Sequence, residues 1–497
     1  MKFCYYPLHL RFIGFLCNLF FTNYPLLLQL KTILLLLKTV LLLSVATAQT
    51  ENTNAVQRLS KAIQFETISD YDSTTFDPVV YKNFISYLQQ AFPLTHQKLE
   101  FSIINKFSLL YYWKGSDSKK SPVLFLAHYD VVPAEASTLK QWIHPTFSGY
   151  IDKEWIWGRG AIDDKFRVMA LLESTEKLLN QNFTPIQDIY FAFGHDEEIG
   201  GEQGALKIAE YLKSKNLEFD LVLDEGGVMV KDVFPGITKT IAFIATAEKG
   251  DINIEMNVFE KGGHSSIPPK ETAIDILSKA IIKLNKHPMP ARLQEPTIEM
   301  LNILAPNFDG KTRFALRHRR LFRKKILKKL GANPGTNALI RTVVSTTMLR
   351  GGVKENSLPS FAAVNLNVRI LHGDSIESVM AHIHKITNDP RIQLIVKKQC
   401  HDPSPITPSN GKAWQVLNNA IKENWPEVII SPLVAPGTTD SRHYASLTKN
   451  VFRFSPVTIT NESKDQVHGI NERISIKEYN KSILFYTELI KRISAEF

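Results

Sequence analysis

The sequence predicts an α/β fold: a mostly parallel sheet flanked by helices, interrupted by an inserted α+β domain. Three observations carry this. Short apolar runs rich in branched and aromatic residues (123–127, 189–193 and 221–223) alternate with helical stretches at 166–179 and 205–212. That order gives parallel strands covered on both faces. The pattern then changes near Lys249 to a compact β-α-β-α order, and the first pattern returns after Cys400. Finally, acidic and imidazole residues fall just past the apolar runs, where ligands sit in sheets of this kind.

Taken in order, residues 54–94 are helical by the spacing of Val56, Leu59, Ile63, Phe84 and Leu88. The strand–helix alternation comes next, and residues 50–248 form the first part of a main domain. In the inserted domain, residues 251–259 and 362–370 alternate as strands, while 271–284 and 376–386 repeat at helical spacing. Its boundaries are placed at 249 and 395. Residues 396–497 then complete the main domain with a helix at 411–424, a strand at 451–454 and a final helix at 476–493.

The chain of 497 residues is long enough for two domains with full cores. Its 44% hydrophobic and 22% charged content is that of an ordinary globular protein. Residues 1–48 differ: they contain no Asp or Glu, and an apolar run ends at Ala46-Thr47-Ala48, the pattern of a signal-peptidase site. Lys31 and Lys38 break the apolar stretch below the roughly 20 residues of a spanning helix. A cleaved signal peptide and a secreted or exported protein (periplasmic, extracellular or vacuolar) are therefore expected, with a retained N-terminal anchor as the alternative. Past that segment only Cys400 remains, so no disulfide is available to the mature chain.

Ten Lys and Arg and no acid lie between Lys311 and Lys329, which equals the net charge of +10 for the whole chain. Phe314, Leu321, Phe322, Ile326 and Leu330 recur there at roughly helical spacing. An amphipathic helix with a solvated basic face is the plain reading. Peripheral contact with an anionic membrane is the sharper one. No base-reading motif accompanies the charge, so nucleic acid is excluded as a partner.

Along the chain come His128 in LFLAHYD, Asp163 in GRGAIDDK, Glu197–Glu198 in HDEEIGG, Asp224 in LVLDEGG and His468 in QVHGINE. Each alone has an ordinary explanation, such as a solvated acidic turn or a carboxylate at a helix start. Together they match a two-metal hydrolase site, which needs a bridging carboxylate and terminal imidazole and carboxylate ligands. Asp163 is the candidate bridge. Asp130, two residues from His128 on a strand end, is placed to orient that imidazole. Adjacent Glu197 and Glu198 point in different directions, so Glu198 is given to the metal and Glu197 to proton transfer. Arg369 and Arg442 are candidates to grip a substrate carboxylate in a bidentate fork.

The strings HYD, GRGAIDDK, HDEEIGG, DEGG, GGHSS and the late HG resemble those of the M20 zinc peptidases. NPGTNALIRTV, GGVKENSLP and GTTDSRHY are similar to the branch holding carboxypeptidase S and the N-fatty-acyl-amino-acid synthase/hydrolase. The resemblance covers nearly everything after residue 48. It implies the zinc-peptidase fold with an inserted lid or dimerisation domain, and two zinc ions per subunit. His128 and Asp224 would hold one ion, Glu198 and His468 the other, with Asp163 between; Glu225 is the alternative to Asp224. It also implies that His264 and Asn356 touch the substrate carbonyl, His264 by lid closure or across a homodimer interface.

The function expected is that of a zinc-dependent metallocarboxypeptidase or amidohydrolase. It would cleave a peptide or N-acyl amide bond next to a free α-carboxylate, with Glu197 as general base. An N-fatty-acyl-amino-acid hydrolase/synthase is the alternative within the enzymes. A catalytically silent binding or assembly domain is the alternative outside them.

Overall fold

The computed structural model describes residues 54–70, 76–232, 234, 236–397 and 400–497. The expected signal segment 1–48 lies outside the described residues. No helix among the described residues is long and apolar enough to cross a membrane. Residues Arg58–Phe497 form one compact unit, which holds an eight-stranded sheet, a four-stranded sheet and two two-stranded ladders.

In chain order the strands are β1 (Glu100–Ile104), β2 (Ser108–Trp113), β3 (Val123–His128), β4 (Trp155–Trp157), β5 (Ile189–Gly194), β6 (Leu221–Val230), β7 (Ile241–Glu248), β8 (Gly250–Phe259), β9 (Gly263–His264), β10 (Val343–Gly351), β11 (Ser357–Leu358), β12 (Phe361–Ile370), β13 (Ile392–Val396), β14 (Ile429–Ala435), β15 (Val451–Ile459) and β16 (Arg473–Ser475).

The large sheet has eight strands in the order β1-β2-β5-β3-β6-β15-β7-β14. The pairs β3–β5, β3–β6, β6–β15 and β7–β14 are parallel. The β1–β2, β2–β5 and β7–β15 pairs are antiparallel. The parallel strands are buried on both faces, which explains why β3 reads as a continuous apolar run with every residue buried. Helix Lys165–Asn180 packs under this sheet against the last helix, Ile476–Glu496. The expected α/β architecture is the one observed.

The helical reading of 54–94 is broken before Pro78, and again at Phe92, where a short helix begins at Pro93. A helix starts afresh at Pro78, capped by the Asp77 side chain and burying Tyr81, Phe84, Ile85 and Leu88. Before it, Ile68 bridges Val131 in extended form, so that Ser69 reaches the buried Asp130. Tertiary pairing overrides helical spacing there.

A second, antiparallel sheet has the order β10-β12-β8-β13. Strict alternation sends Ile252, Ile254, Met256 and Val258 of β8, with Val364, Leu366 and Val368 of β12, into a core of their own. Helices Ala273–Lys286 and Ile376–Thr387 cover that face, each started by a capping box. Between β9 and β10 the chain leaves this sheet. Helix Glu295–Leu304 packs on β14 at the edge of the large sheet, sharing a core with Phe243, Leu316 and Ile326. The basic segment is two helices, Gly310–Arg317 and Arg319–Leu330, meeting at His318.

Candidate active site

His128 is the last residue of β3 and lies in register with Gly194, the last of β5. Three residues beyond Gly194 the chain makes a single tight turn, Glu197–Ile199, closed by Gly200 at φ 110°. That positive φ favours glycine. Both glutamates therefore stand over the carboxyl end of the sheet. The buried Asp130 ties the two strand ends together. Its Oδ1 lies 3.3 Å from His128 Nδ1 and accepts the Glu197 amide, and its Oδ2 accepts the Glu198 amide and the Ser69 hydroxyl. One carboxylate thus orients the imidazole and fixes the glutamate turn.

Two sets of donor atoms converge on Asp163. His128 Nε2 lies 3.0 Å from Asp163 Oδ1 and 3.3 Å from Glu225 Oε1. His468 Nε2 lies 3.0 Å from Asp163 Oδ2 and 3.1 Å from Glu198 Oε2. The two oxygens of Asp163 thus face two different His–carboxylate pairs. Its peptide bond to Asp164 is cis.

Of the two alternatives, this geometry favours Glu225 over Asp224 as the partner of His128. Successive strand residues project to opposite faces. Asp224 turns into the protein, where Oδ2 accepts the Ser441 amide at 2.8 Å and Oδ1 lies 3.6 Å from Arg167. Glu225 is the one of the two that meets His128, and among the described residues it alone joins His128 and Asp163 within ligand distance.

Electrostatics point the same way. Burial and the charge of Asp163 push Glu198 up to about 7. Burial and Asp163 also raise Glu225, and burial raises Glu197 well above the carboxylate range, with Glu225, Asp440 and Glu198 adding to it. Asp163 is held well below its usual range: burial opposes this, but hydrogen bonds from both imidazoles outweigh it. Bonds from Asp163 and Glu198 raise His468 to about 10. Negative charge exceeds what two imidazoles neutralise, and the buried Oε1 of Glu198 has no partner. The donor set, imidazole nitrogen plus carboxylate oxygen with a shared bridge, suits two adjacent cations. Glu197 stands outside both donor sets.

Several supporting residues escaped the sequence reading. Buried Glu472 accepts the amides of Gly160, Ile162 and Asp163 through Oε1 and bonds Arg159 Nη1 at 2.7 Å through Oε2. Arg159 in turn donates to the His468 carbonyl. Beneath the site, fully buried Arg167 donates to Asp164 Oδ2 and to the Leu126 carbonyl, and Asp164 Oδ2 accepts the His128 amide. Glu472 closes the very string that carries His468, and Asp164 adjoins Asp163, but spacing assigns a role to neither.

The other candidates lie in two places. Arg442 donates to the carbonyls of Thr439 and Gly200, the latter just past the glutamate turn. Arg369, on β12, lies 3.3 Å from Asp251 and 3.4 Å from Thr438 Oγ1. Thr438 and Arg442 line a cavity of about 370 Å³, together with Lys249, His401 and His443. His264 and Asn356 are elsewhere: the β9–β11 ladder pairs His264 with Ser357, and the Asn356 carbonyl accepts the Ser265 amide. Both residues are exposed, and neither bonds to the acidic cluster. The His264 Nδ1 accepts the Ser266 amide at 3.1 Å, so in the neutral ring Nε2 carries the proton and faces outward.

Known proteins resemble this chain along most of its length. Residues 124–492 match the model of peptidase family M20/M25/M40. The chain is 39% identical over 439 residues to the probable carboxypeptidase S-like 2 of Dictyostelium discoideum, covering 88% of this chain and 84% of that protein. It is 36% identical over 446 residues to the N-fatty-acyl-amino acid synthase/hydrolase of Homo sapiens, covering 88% of each. The fold is similar to the M20 family metallo-carboxypeptidase of Sulfolobus solfataricus, with a TM-score of 0.64 at 19% identity over 89% of this chain and 99% of that one. It is also similar to a dinuclear metal-binding M20 peptidase of Bacillus subtilis, with a TM-score of 0.54 at 14% identity over 90% and 100% of the two chains. The chain belongs to peptidase family M20 and is a metallohydrolase of its carboxypeptidase and amidohydrolase kind.

Proposed function

We propose that this chain is a di-zinc enzyme that hydrolyses a peptide or N-acyl amide bond next to a free α-carboxylate. The observation that carries the reading is Asp163, whose two oxygens face two separate His–Glu pairs. His128 and Glu225 would hold one zinc, Glu198 and His468 the other, with Asp163 as the bridge. Bound there, the ions would supply a polarised substrate carbonyl and an activated water. Glu197 takes the proton of the attacking water as its oxygen bonds to the carbonyl carbon. It then gives that proton to the leaving nitrogen as the C–N bond breaks. Asp130 keeps the His128 ring and the Glu197 backbone in place throughout. The α-carboxylate would sit toward the cavity at Arg442, with Arg369 and Lys249 beside it, where a guanidinium fork gives orientation; Glu248 and Asp402 also line that cavity. His264, with Asn356 beside it, would donate Nε2–H to the developing oxyanion after lid closure or from a second subunit. A homodimer and export from the cytosol complete the proposal.

A second substrate class is supported by similarity to the human N-fatty-acyl-amino acid synthase/hydrolase. The test is metal analysis of the purified enzyme together with turnover of paired substrates. Dipeptides and N-fatty-acyl amino acids would each be offered with a free and an amidated carboxylate. Two zinc equivalents and hydrolysis restricted to free carboxylates are expected. Whichever acyl class has the higher kcat/KM assigns the substrate. Metal-free protein with full turnover, or indifference to carboxylate amidation, refutes the proposal.

A further inference from the structure

Residues 310–330 carry a charge that the fold does not use. The inner face of the two helices is accounted for: Leu316 and Ile326 are buried against the Met300 and Leu304 side chains and the edge strand β14. The outer face is not. Of the ten basic residues, eight are exposed, and among the described residues none forms an ion pair. Arg313 and Arg319 spend their donors on neutral oxygens of Pro306, Phe308 and Asn302. The nearest acid along the sequence, Asp309, is occupied in capping the first helix. A surface of this density of one sign is self-repelling. Within it Leu321 is 80% exposed and Phe314 55%. Leu321 shares the outer face of its helix with exposed Lys324, Lys325 and Lys328, at spacings of three, four and seven residues.

We infer that this face docks on an anionic bilayer surface, with the two helices lying flat and Leu321 and Phe314 entering the headgroup layer. The charge supplies attraction to acidic headgroups, worth about fivefold in affinity per basic residue near the surface. The two apolar side chains decide the class of partner. A polyanion in water gains nothing from an exposed leucine, whereas a bilayer interface takes it up. The long Lys and Arg stems flanking Leu321 would lie along the same interface with their heads in the phosphate layer. None of these residues belongs to the acidic cluster or lines the cavity at Arg442, so docking and hydrolysis are separable.

The test is vesicle flotation of the full chain. Vesicles of phosphatidylcholine alone are compared with vesicles containing about a third phosphatidylserine, at low and at physiological salt. Wild type should bind the anionic vesicles at least about tenfold more tightly, with the difference shrinking in salt. The combined variant Arg320→Glu, Lys324→Glu, Lys325→Glu and Lys328→Glu should abolish that difference while keeping wild-type turnover of a soluble substrate. Leu321→Ser leaves every charge in place and should weaken anionic-vesicle binding by about fivefold or more. Equal binding to both vesicle types overturns the inference, as does an unaffected charge-reversal variant. Retention on a sulfated polysaccharide with no effect of Leu321→Ser on vesicle binding overturns it too, and assigns the face to polyanions.

Discussion

Glu472 reaches the backbone of Asp163 from behind, accepting its amide at 3.2 Å with the same oxygen that holds Gly160 and Ile162. Its other oxygen grips Arg159, which also donates to the His468 carbonyl. One buried ion pair therefore fixes the loop of the central carboxylate against the loop of an imidazole 305 positions later in the sequence, at His468. Glu472→Gln should lower metal affinity by about 10–100-fold, the usual loss when an outer partner of a ligand is changed. It should also destabilise the fold by about 3–5 kcal/mol by leaving Arg159 buried and unpaired. Zinc titration and denaturant melts check the two effects separately, and unchanged metal affinity would reduce Glu472 to a structural residue.

Asp224 and Glu225 should separate cleanly by metal content. Glu225→Gln removes a charged donor facing His128 and should cost at least one metal equivalent along with turnover. Asp224→Asn should keep both metals and lose about 1–3 kcal/mol of stability, because it weakens the bonds to the Ser441 amide and Arg167. The reverse pattern would restore Asp224 as the ligand.

Glu197→Gln should reduce kcat by about 10²–10⁴ while leaving metal content intact, since Glu197 stands outside both donor sets. A variant that loses metal, or that turns over normally, removes Glu197 from the role of base.

His264→Ala should lower kcat by about 10²–10³ at unchanged metal content if its outward Nε2–H meets the oxyanion. Mixing it with the inactive Glu197→Gln variant distinguishes the two routes: regained activity in mixed dimers means a contact from the second subunit. An ordinary kcat would leave His264 as a turn residue.

Stability should fall in acid partly through His195. This ring is buried, bonds the Ser108 hydroxyl at 2.6 Å and titrates at about 4, lowered by burial. Its folded value lies below its unfolded one, so its contribution is complete above about pH 6.5 and is lost as pH falls toward 4. The full shift corresponds to roughly 3 kcal/mol. His195→Gln should flatten the dependence of the unfolding midpoint between pH 6.5 and 4 by that order; an unchanged slope would exclude His195 as its source.

Much of the site was legible because polar residues at strand ends carry a local signature. His128 closes a run of apolar residues, Glu197–Glu198 follow another, and Asp163 sits in a glycine-flanked turn. Each needs only its neighbours to declare the element that ends there. The architecture was legible for the same reason, since buried parallel strands and amphipathic helices have different periods. The helical reading of 54–94 failed at Ile68 because pairing with Val131, a distant partner, overrode spacing.

Period and residue type were enough to read the order of elements and to single out His128, Asp163, Glu198 and His468, which the fold brings together. The choice between Asp224 and Glu225 had to wait for the packed chain. Two adjacent carboxylates on a strand are equivalent in sequence, and the choice rests on Arg167 and Ser441 capturing one of them from beneath the sheet. The same holds for Glu472, whose partners at 159–163 lie some three hundred residues away. A buried charge declares its purpose through the groups that compensate it, and those are set by the packing of distant segments rather than by spacing along the chain.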